Sequence, residues 1–280
     1  MISNTIQWIG KHFMGMLFLL ILVLVFSPRG TTTDPANLQE IYLRGPIINS
    51  DTIVEEIEKA QKDKQIKGVL FTVDSPGGAV APSIEIAYAI KALQKEKPVI
   101  AYAAGIMASG SYYSSIYADK IVANPGSIVG SIGVIMESAN IKELMDKIGV
   151  KPQTVQQGTY KQVGTPMRPW TTLERAELEQ VTKDTYDLFV KDVSTARGLD
   201  INNSTSYADA HIFVAHRAKE VGLIDSIGVK ADAKKELQSL SRIENPIWKK
   251  RDKFDTIIQK FTANTMGEIQ SYFYGLKASL

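Results

Sequence analysis

Short apolar runs alternate with helical patterns through most of this chain, and that alternation restricts the fold more than any other feature. The sequence predicts strands at residues 40–47, 69–73, 98–103 and 121–123. Between the second and third runs, apolar residues recur at Ile84, Ala87, Ile90 and Leu93, the spacing of one helix face. Parallel strands need long crossover connections, which helices commonly supply. The pattern therefore predicts an α/β domain with a mainly parallel sheet, and the absence of an internal repeat predicts a single such domain over residues 38–240.

Further elements are expected before and after these strands. Ser50 is placed to cap a helix that follows the first strand. After residue 123 the sequence predicts a Gly/Ser-rich strand region at 126–136, a helix at 141–148 and a strand near Thr154. Thr171 and Glu174 have the spacing of a capping box, which predicts a long helix that ends near Arg197.

Histidine and cysteine are scarce, which excludes several kinds of active site. The chain of 280 residues has no cysteine, so disulfides, thiolate nucleophiles and Cys-ligated zinc are excluded. Its histidines are His12, His211 and His216, and His12 precedes an apolar run. A Ser-His-Asp triad must therefore use His211 or His216; no convincing acidic residue accompanies either, and both are expected to be structural. The net charge of +2 does not favour nucleic-acid binding, and we expect no metal and no cofactor.

The first 29 residues are interpreted as a separate membrane segment. Residues 13–26 contain no charge, and these 14 residues are fewer than the roughly 17–25 of a typical spanning helix. Their length fits the core of a secretory signal, but the sequence around Ser27 and Pro28 is a poor cleavage site. A buried helix of the soluble core is the third alternative. We interpret residues 1–29 as one transmembrane helix, an uncleaved signal anchor, and residues 30–37 as a linker.

The C-terminal residues 241–280 follow a looser pattern. Residues 247–253 are basic, and apolar side chains then recur at helical spacing. We expect a helical extension that packs on the body or on a neighbouring copy. A helix lying on the membrane surface is the alternative.

Two loops with small residues leave predicted strands, and ligand sites of parallel sheets lie beyond the carboxyl ends of strands. They are DSPGG at 74–78 and GIMASGS at 105–111. A serine at a helix N-terminus, as Ser109 would be, lies in positive potential that favours a developing oxyanion. Both loops could also be an ordinary turn and a helix cap. The second loop is not the G-x-S-x-G motif, which argues against an α/β-hydrolase. A lysine with a neutral amine could replace histidine as the base, although spacing alone does not select one.

Four motifs together resemble the signal peptide peptidase A family of serine endopeptidases, in its short form with one N-terminal anchor. They are DSPGG, MASGSYY at 107–113, VGSIGVIMES at 129–138 and GTYKQVGTPMR at 158–168, and AKEVGLIDSIG at 218–228 adds to them. The resemblance covers about residues 38–230 in one order. It implies the ClpP/crotonase fold, a spiral of ββα units, and a Ser/Lys dyad.

The resemblance also implies a role for each matching residue. Ser109 matches the nucleophile, Lys161 the general base, and Ser131 a serine that holds the lysine amine by a hydrogen bond. Gly78 and Gly110 match the backbone donors of the oxyanion hole. Two positions depart modestly from the family pattern: Tyr160 precedes the lysine, and Ser111 stands where a second glycine is usual after the nucleophile.

The family's properties give the expected biology. They imply peptide substrates (remnant signal peptides and other envelope polypeptides), a homo-oligomeric ring in which neighbours complete or line the active sites, and contact with membrane lipid. The expected location is the bacterial cytoplasmic membrane, crossed once, with the catalytic domain on the periplasmic side. Two alternatives stay open: a crotonase-fold acyl-CoA enzyme, which has no use for the anchor or the Ser/Lys pair, and a non-catalytic membrane scaffold, which would have lost a member of the dyad.

Overall fold

The computed structural model describes residues 12–19 and 35–250, and the chain divides into two compact units, Met1–Pro35 and Ala36–Leu280. Residues 12–19 are helical and overlap the predicted anchor; the rest of that anchor and residues 251–280 lie outside the described residues. In the part of the chain that is described, no helix has the length and apolar character needed to cross a membrane.

One mixed sheet organises the second unit. The strands are β1 Leu38–Arg44, β2 Gly68–Ser75, β3 Val99–Ala108, β4 Lys120–Ala123, β5 Ile128–Gly130, β6 Ile212–Val214 and β7 Ser226–Ile227. Five of them follow the order β1-β2-β3-β4-β7 and are parallel to their neighbours. β5 pairs in parallel with the far end of β3, and β6 is antiparallel to β5. The predicted α/β class with a mainly parallel sheet is confirmed.

Helices connect these strands and cover the sheet. They are α1 Asp51–Lys62, α2 Val80–Gln94, α3 Gly110–Tyr113, α4 Lys142–Lys147, α5 Thr172–Arg197, α6 Ala215–Glu220 and α7 Lys230–Leu240, with a 3-10 helix at Ile201–Ser206. The α5 helix begins with the predicted capping box: the Thr171 side chain accepts from the Glu174 amide, and the Glu174 carboxylate accepts from the Thr171 amide. Ser50 does precede α1, but its side chain makes no capping hydrogen bond.

The core follows from the two-residue period of the strands, because successive side chains point to opposite faces. On β2, Val69 and Phe71 belong to a large cluster that also includes Ile86 and Ile90 of α2. Leu70 belongs to a smaller cluster on the other face, together with Ala233 and Leu237 of α7. All the side chains named here are fully buried. The sheet is therefore covered on both faces, as parallel sheets usually are.

Three expectations about local structure differ from what is observed. The Gly/Ser-rich region 126–136 forms a strand only at Ile128–Gly130, and residues near Thr154 form none. Within the described residues 241–250 there is no helix; instead Trp248 pairs with Leu38 at the start of β1. The predicted strand near Thr154 is wrong because its side chains stay exposed and no neighbouring strand accepts its backbone hydrogen bonds.

The sheet places two loops side by side at one edge. β2 and β3 are parallel neighbours, so both end at the same edge and their following loops meet there. The register shifts just before that edge: Val73 pairs with Ala103, but Ser75 pairs with Met107. Within this irregular stretch the Asp74 carboxylate accepts a hydrogen bond of 3.0 Å from the Ile106 amide. The DSPGG loop and the Ser109 turn are thereby brought together.

Candidate active site

Ser109 occupies a strained turn between β3 and α3. Its backbone has φ 52° and ψ −124°, a conformation that costs a residue with a Cβ about 1–3 kcal/mol. Two backbone hydrogen bonds hold it there. The Ser109 amide donates to the Gly130 carbonyl at 2.8 Å, and the Tyr113 amide donates to the Ser109 carbonyl at 3.0 Å. A strained serine fixed from both sides at a sheet edge is typical of a nucleophile.

Two backbone amides lie beside this turn, those of Gly78 and Gly110. A Cβ placed on Gly110 would lie 3.3 Å from the Gly78 nitrogen, so the two residues are immediate neighbours. A Cβ on Gly78 would lie 2.1 Å from the Ile47 carbonyl oxygen, which explains why only glycine fits there. Among the described residues neither amide has a hydrogen-bond acceptor. Two adjacent free donors next to a serine are suited to stabilise an oxyanion.

The serine and both glycines line a cleft of about 750 Å³, a volume within the range of ligand-binding pockets. Its walls are mostly apolar and include residues from α2, β3 and α5: Val80, Ile84, Ile106, Leu188 and Phe189. Tyr113 also lines the cleft and donates a hydrogen bond to Asp192 of α5; burial and this bond raise the pKa of the Tyr113 hydroxyl. Asp74 is the charged residue among the lining side chains.

Ser131 lines the same cleft and lies close to Ser109 along the hydrogen-bond network. It follows β5 and also has a positive φ, 51°. Its amide donates to the His211 carbonyl at 2.7 Å. The preceding residue, Gly130, provides the carbonyl that accepts from the Ser109 amide. Four of the five predicted site residues (Gly78, Ser109, Gly110 and Ser131) are therefore brought together in one cleft.

Lys161 is not brought to this cleft within a single copy. It is exposed, and it is not among the residues that line the cleft. Its amide donates to the Gly158 carbonyl at 3.3 Å, within a turn. Ser109 and Lys161 are therefore not paired in the described chain.

An ion pair fixes the segment that contains Lys161 to the start of α5. The Arg168 guanidinium donates to both carboxylate oxygens of Glu174, at 2.7 and 2.8 Å, and to the Gln162 side-chain oxygen at 3.0 Å. Glu174 is buried, whereas Arg168 is partly exposed. The Arg168 guanidinium, together with the Thr171 amide, lowers the pKa of Glu174 to about 2. This arrangement, the Arg168–Glu174 clamp, fixes the residue next to Lys161.

The side chains of His211 and His216 do not line the cleft. The exposed His216 side chain lies 3.4 Å from the Glu220 carboxylate on α6. His211 contributes its carbonyl to the Ser131 amide, and its ring lies 6.0 Å from that of Phe213. In residues 12–19 and 35–250, no group of three His, Asp or Glu side chains is placed to bind a metal ion.

Sequence reasoning missed two features of the site. One is the α5 wall of the cleft: Leu188 and Phe189 are part of an apolar pattern on a helix more than 50 residues beyond the nucleophile. The apolar spacing of α5 predicts a buried face but not what that face covers. The other is the set of hydrogen bonds made by Ser111, which departs from the family pattern.

Comparisons with known proteins agree with this geometry. Residues 91–244, more than half of the chain, match peptidase family S49, and this range includes Ser109, Ser131 and Lys161. A Methanocaldococcus jannaschii protein, provisionally named a protease, is 43% identical over 68% of this chain and 61% of its own length. An Enterococcus faecium protein, provisionally named a signal peptide peptidase SppA, is 32% identical over 82% of this chain and 67% of its own.

The chain therefore spans about two thirds of the curated relatives it matches first. Among solved structures, a ClpP1 variant from Listeria monocytogenes is 14% identical and superposes over 69% of this chain and 93% of its own, with a TM-score of 0.45. The family match is the finding that decides the class of protein. This chain belongs to peptidase family S49, which confirms its resemblance to the signal peptide peptidase A serine peptidases.

Proposed function

We propose that this chain is a membrane-anchored serine endopeptidase in which Ser109 is the nucleophile and Lys161 the general base. The observation that supports it most is the cleft itself, where a strained serine lies beside two amides that have no acceptor in residues 35–250. We also propose that its fold is the ClpP/crotonase-like spiral of ββα units.

In the first step, Ser109 Oγ attacks the carbonyl carbon of the scissile peptide bond. A carbon–oxygen bond forms, the π electrons move onto the carbonyl oxygen, and the hydroxyl proton passes to the neutral amine of Lys161. The Gly78 and Gly110 amides then donate hydrogen bonds to the oxyanion. Removing one such donor typically costs about 100- to 1,000-fold in kcat.

In the second step, the intermediate collapses to an acyl-enzyme. The carbon–nitrogen bond breaks, and the proton held by Lys161 passes to the leaving amine. Water then attacks the ester with the same base and the same oxyanion donors, and Ser109 is regenerated. Ser131 is proposed to hold the Lys161 amine by a hydrogen bond, since its hydroxyl lies in the same cleft.

A neighbouring copy of the chain is proposed to provide Lys161. Lys161 is exposed and outside the cleft of its own chain, whereas the reaction requires it beside Ser109. The segment around it also exposes many apolar side chains: Ile135, Met136, Leu144, Ile148, Val150, Val155 and Met167. Exposed apolar groups of this extent mark association surfaces. A homo-oligomeric ring would cover them and complete each site.

The proposed substrates are cleaved signal peptides and other envelope polypeptides. The mostly apolar walls of the cleft suit the apolar segments of such peptides. The apolar run at residues 13–26 supports an anchor in the bacterial cytoplasmic membrane, in contact with lipid, with the catalytic domain on the periplasmic side.

The proposal is tested with the full chain and a fluorogenic peptide of apolar residues. Ser109→Ala should reduce kcat/KM by at least about 1,000-fold and abolish labelling by a fluorophosphonate, because it removes the nucleophile. Ser206→Ala, which changes an exposed serine of the 3-10 helix, is the control and should behave like the wild type. Labelling that persists in Ser109→Ala would assign the nucleophile elsewhere.

A further inference from the structure

Ser111 makes hydrogen bonds to both loops that form the candidate oxyanion hole. The Ser111 side chain is fully buried, on the first turn of α3. Its Oγ lies 2.6 Å from the Ser75 carbonyl oxygen, 2.9 Å from the Ala108 amide nitrogen and 2.9 Å from the Ala108 carbonyl oxygen. Ser75 is the last residue of β2, and Ala108 is the last residue of β3.

The Ser111 hydroxyl has a single proton to donate and two lone pairs with which it accepts. Two carbonyl oxygens lie within reach of that proton, and the shorter distance favours donation to the Ser75 carbonyl. In either case the Ala108 amide donates to the Ser111 oxygen. The hydroxyl thus links the end of one strand to the end of the next.

The two oxyanion donors follow directly after these strand ends. Gly78 lies three residues after Ser75, and Gly110 lies two residues after Ala108. The backbone pairing of β2 with β3 fixes the separation of these two amides only weakly, because its register shifts between Val73 and Ser75. A buried bridge beyond that irregularity restores a fixed distance between the two loops.

We infer that Ser111 is a positioning residue that sets the separation of the Gly78 and Gly110 amides. This inference rests on the proposed function of the site. Ser111 stands where the resemblance places a second glycine, which has no side chain to make this bridge. The backbone does not require glycine here, since Ser111 is not among the residues with positive φ. The bridge is therefore a feature of this chain rather than a consequence of the shared motif.

The inference predicts a defect in transition-state stabilisation and not in substrate binding. Donors that are misplaced by a fraction of an ångström still admit the substrate, but they fit the oxyanion less well. Ser111→Ala should therefore lower kcat by about tenfold or more, with KM unchanged within about twofold. A peptide boronate forms a tetrahedral anionic adduct with the serine, so its inhibition constant should rise by a similar factor. Ser111→Gly should behave like Ser111→Ala.

A matched control separates this effect from a loss of stability. Ser115 is equally buried, and its hydroxyl donates at 2.8 Å to the Ser111 carbonyl, but within the described part of the chain it makes no hydrogen bond to either strand end. Ser115→Ala should lower the melting temperature as Ser111→Ala does and leave kcat and boronate inhibition unchanged. Ser111→Cys keeps the size and a weaker donor, so its kcat should lie between those of the wild type and Ser111→Ala.

The outcomes are separable on the full-length protein, assayed with a fluorogenic apolar peptide. If wild type shows no turnover that depends on Ser109, the proposed function fails and the inference fails with it. If that turnover is present but Ser111→Ala and Ser111→Cys match wild type, the inference alone is wrong. A change confined to the KM of Ser111→Ala, or an equal decrease in the kcat of Ser115→Ala, would also overturn it. Should Ser111→Ala not fold, Ser111→Cys decides between the same outcomes.

Discussion

Ser109 combines a positive φ with a side chain, and this combination has a thermodynamic cost. A residue with a Cβ clashes with its own backbone in this conformation, whereas glycine does not. The hydrogen bonds from Ser109 to Gly130 and from Tyr113 to Ser109 offset the strain. The strain therefore lies at the residue that is proposed to be the nucleophile.

Ser109→Gly should be more stable than Ser109→Ala by about 1 kcal/mol, although both variants lack the nucleophile. The reason is that glycine relieves the strain at φ 52° and alanine retains it. Urea unfolding of the two variants measures the difference. At Glu177, an exposed position within α5, the glycine variant should instead be less stable than the alanine variant, because glycine is the poorer helix former. An identical order at both positions would show that residue 109 is not strained.

Among the elements, α5 contacts both the candidate site and the segment that contains Lys161. Its first turn contributes Glu174 to the Arg168–Glu174 clamp, and its middle contributes Leu188 and Phe189 to the cleft wall. Its last residue, Arg197, makes a two-fold hydrogen bond to Asp225. One helix thus connects the segment that contains Lys161 to the wall of the substrate cleft.

The clamp makes stability depend on pH in a known direction. The pKa of Glu174 falls from 4.5 to about 2 in the folded protein, mainly because of the Arg168 hydrogen bonds. A carboxyl group whose pKa is lower in the folded state than in the unfolded state stabilises the folded state when the pH is above the unfolded-state pKa. This stabilisation is lost as the pH falls through the folded-state pKa. Glu174→Gln should therefore melt at a lower temperature than wild type at pH 7, and the gap should close between about pH 4.5 and pH 2.

The exposed Glu177 on the same helix provides the control for this measurement. Glu177→Gln should show no such gap at either end of the pH range. Thermal melts of the three proteins at several pH values are sufficient. A gap for Glu174→Gln that persists unchanged at pH 2 would mean that the carboxylate charge does not stabilise the clamp.

Sequence patterns predicted the elements that depend on residues close together in the chain. The capping box of α5 was readable because Thr171 and Glu174 interact with each other's backbone. The buried strand β2 was readable because both of its faces are apolar. The strand expected near Thr154 depended on a partner that no local pattern specifies. Likewise, Ser109 and Gly110 were readable as a motif, whereas the exposed position of Lys161 depends on the path of the whole segment from 131 to 171.

At the scale of the whole molecule, the described chain has Lys161 outside the cleft and exposes an apolar surface. The segment that exposes Val155 completely is the same one that contains Lys161. Covering this segment with a second copy and bringing Lys161 to a neighbouring cleft would therefore be a single event.

Mixing experiments test this arrangement. Ser109→Ala and Lys161→Ala should each be inactive alone, and co-expression should restore about a quarter of the wild-type activity, because one site in four then combines an intact serine with an intact lysine. Lys161→Arg alone should be as inactive as Lys161→Ala alone, since a guanidinium does not deprotonate. Peptide hydrolysis by the purified mixed oligomers measures the result.

Lys151→Ala is the control, because Lys151 is an exposed lysine in the same segment. This variant should be active without co-expression of a second variant. Co-expression of Ser109→Ala with the double variant Ser109→Ala/Lys161→Ala should give no peptide hydrolysis. A mixture of the two single variants that stays inactive would place both groups of the dyad in one chain.

If Lys161 reaches the cleft of a neighbouring copy, as proposed, the concentration of the protein becomes part of its control. A newly made chain would then hold a nucleophile without its base and would not cut the polypeptides it meets. Two copies would have to associate before a peptide bond could be cut, so at low concentration the rate of hydrolysis would grow with the square of the protein concentration. Below the concentration at which copies associate, doubling synthesis would quadruple proteolysis, and dilution alone would stop it.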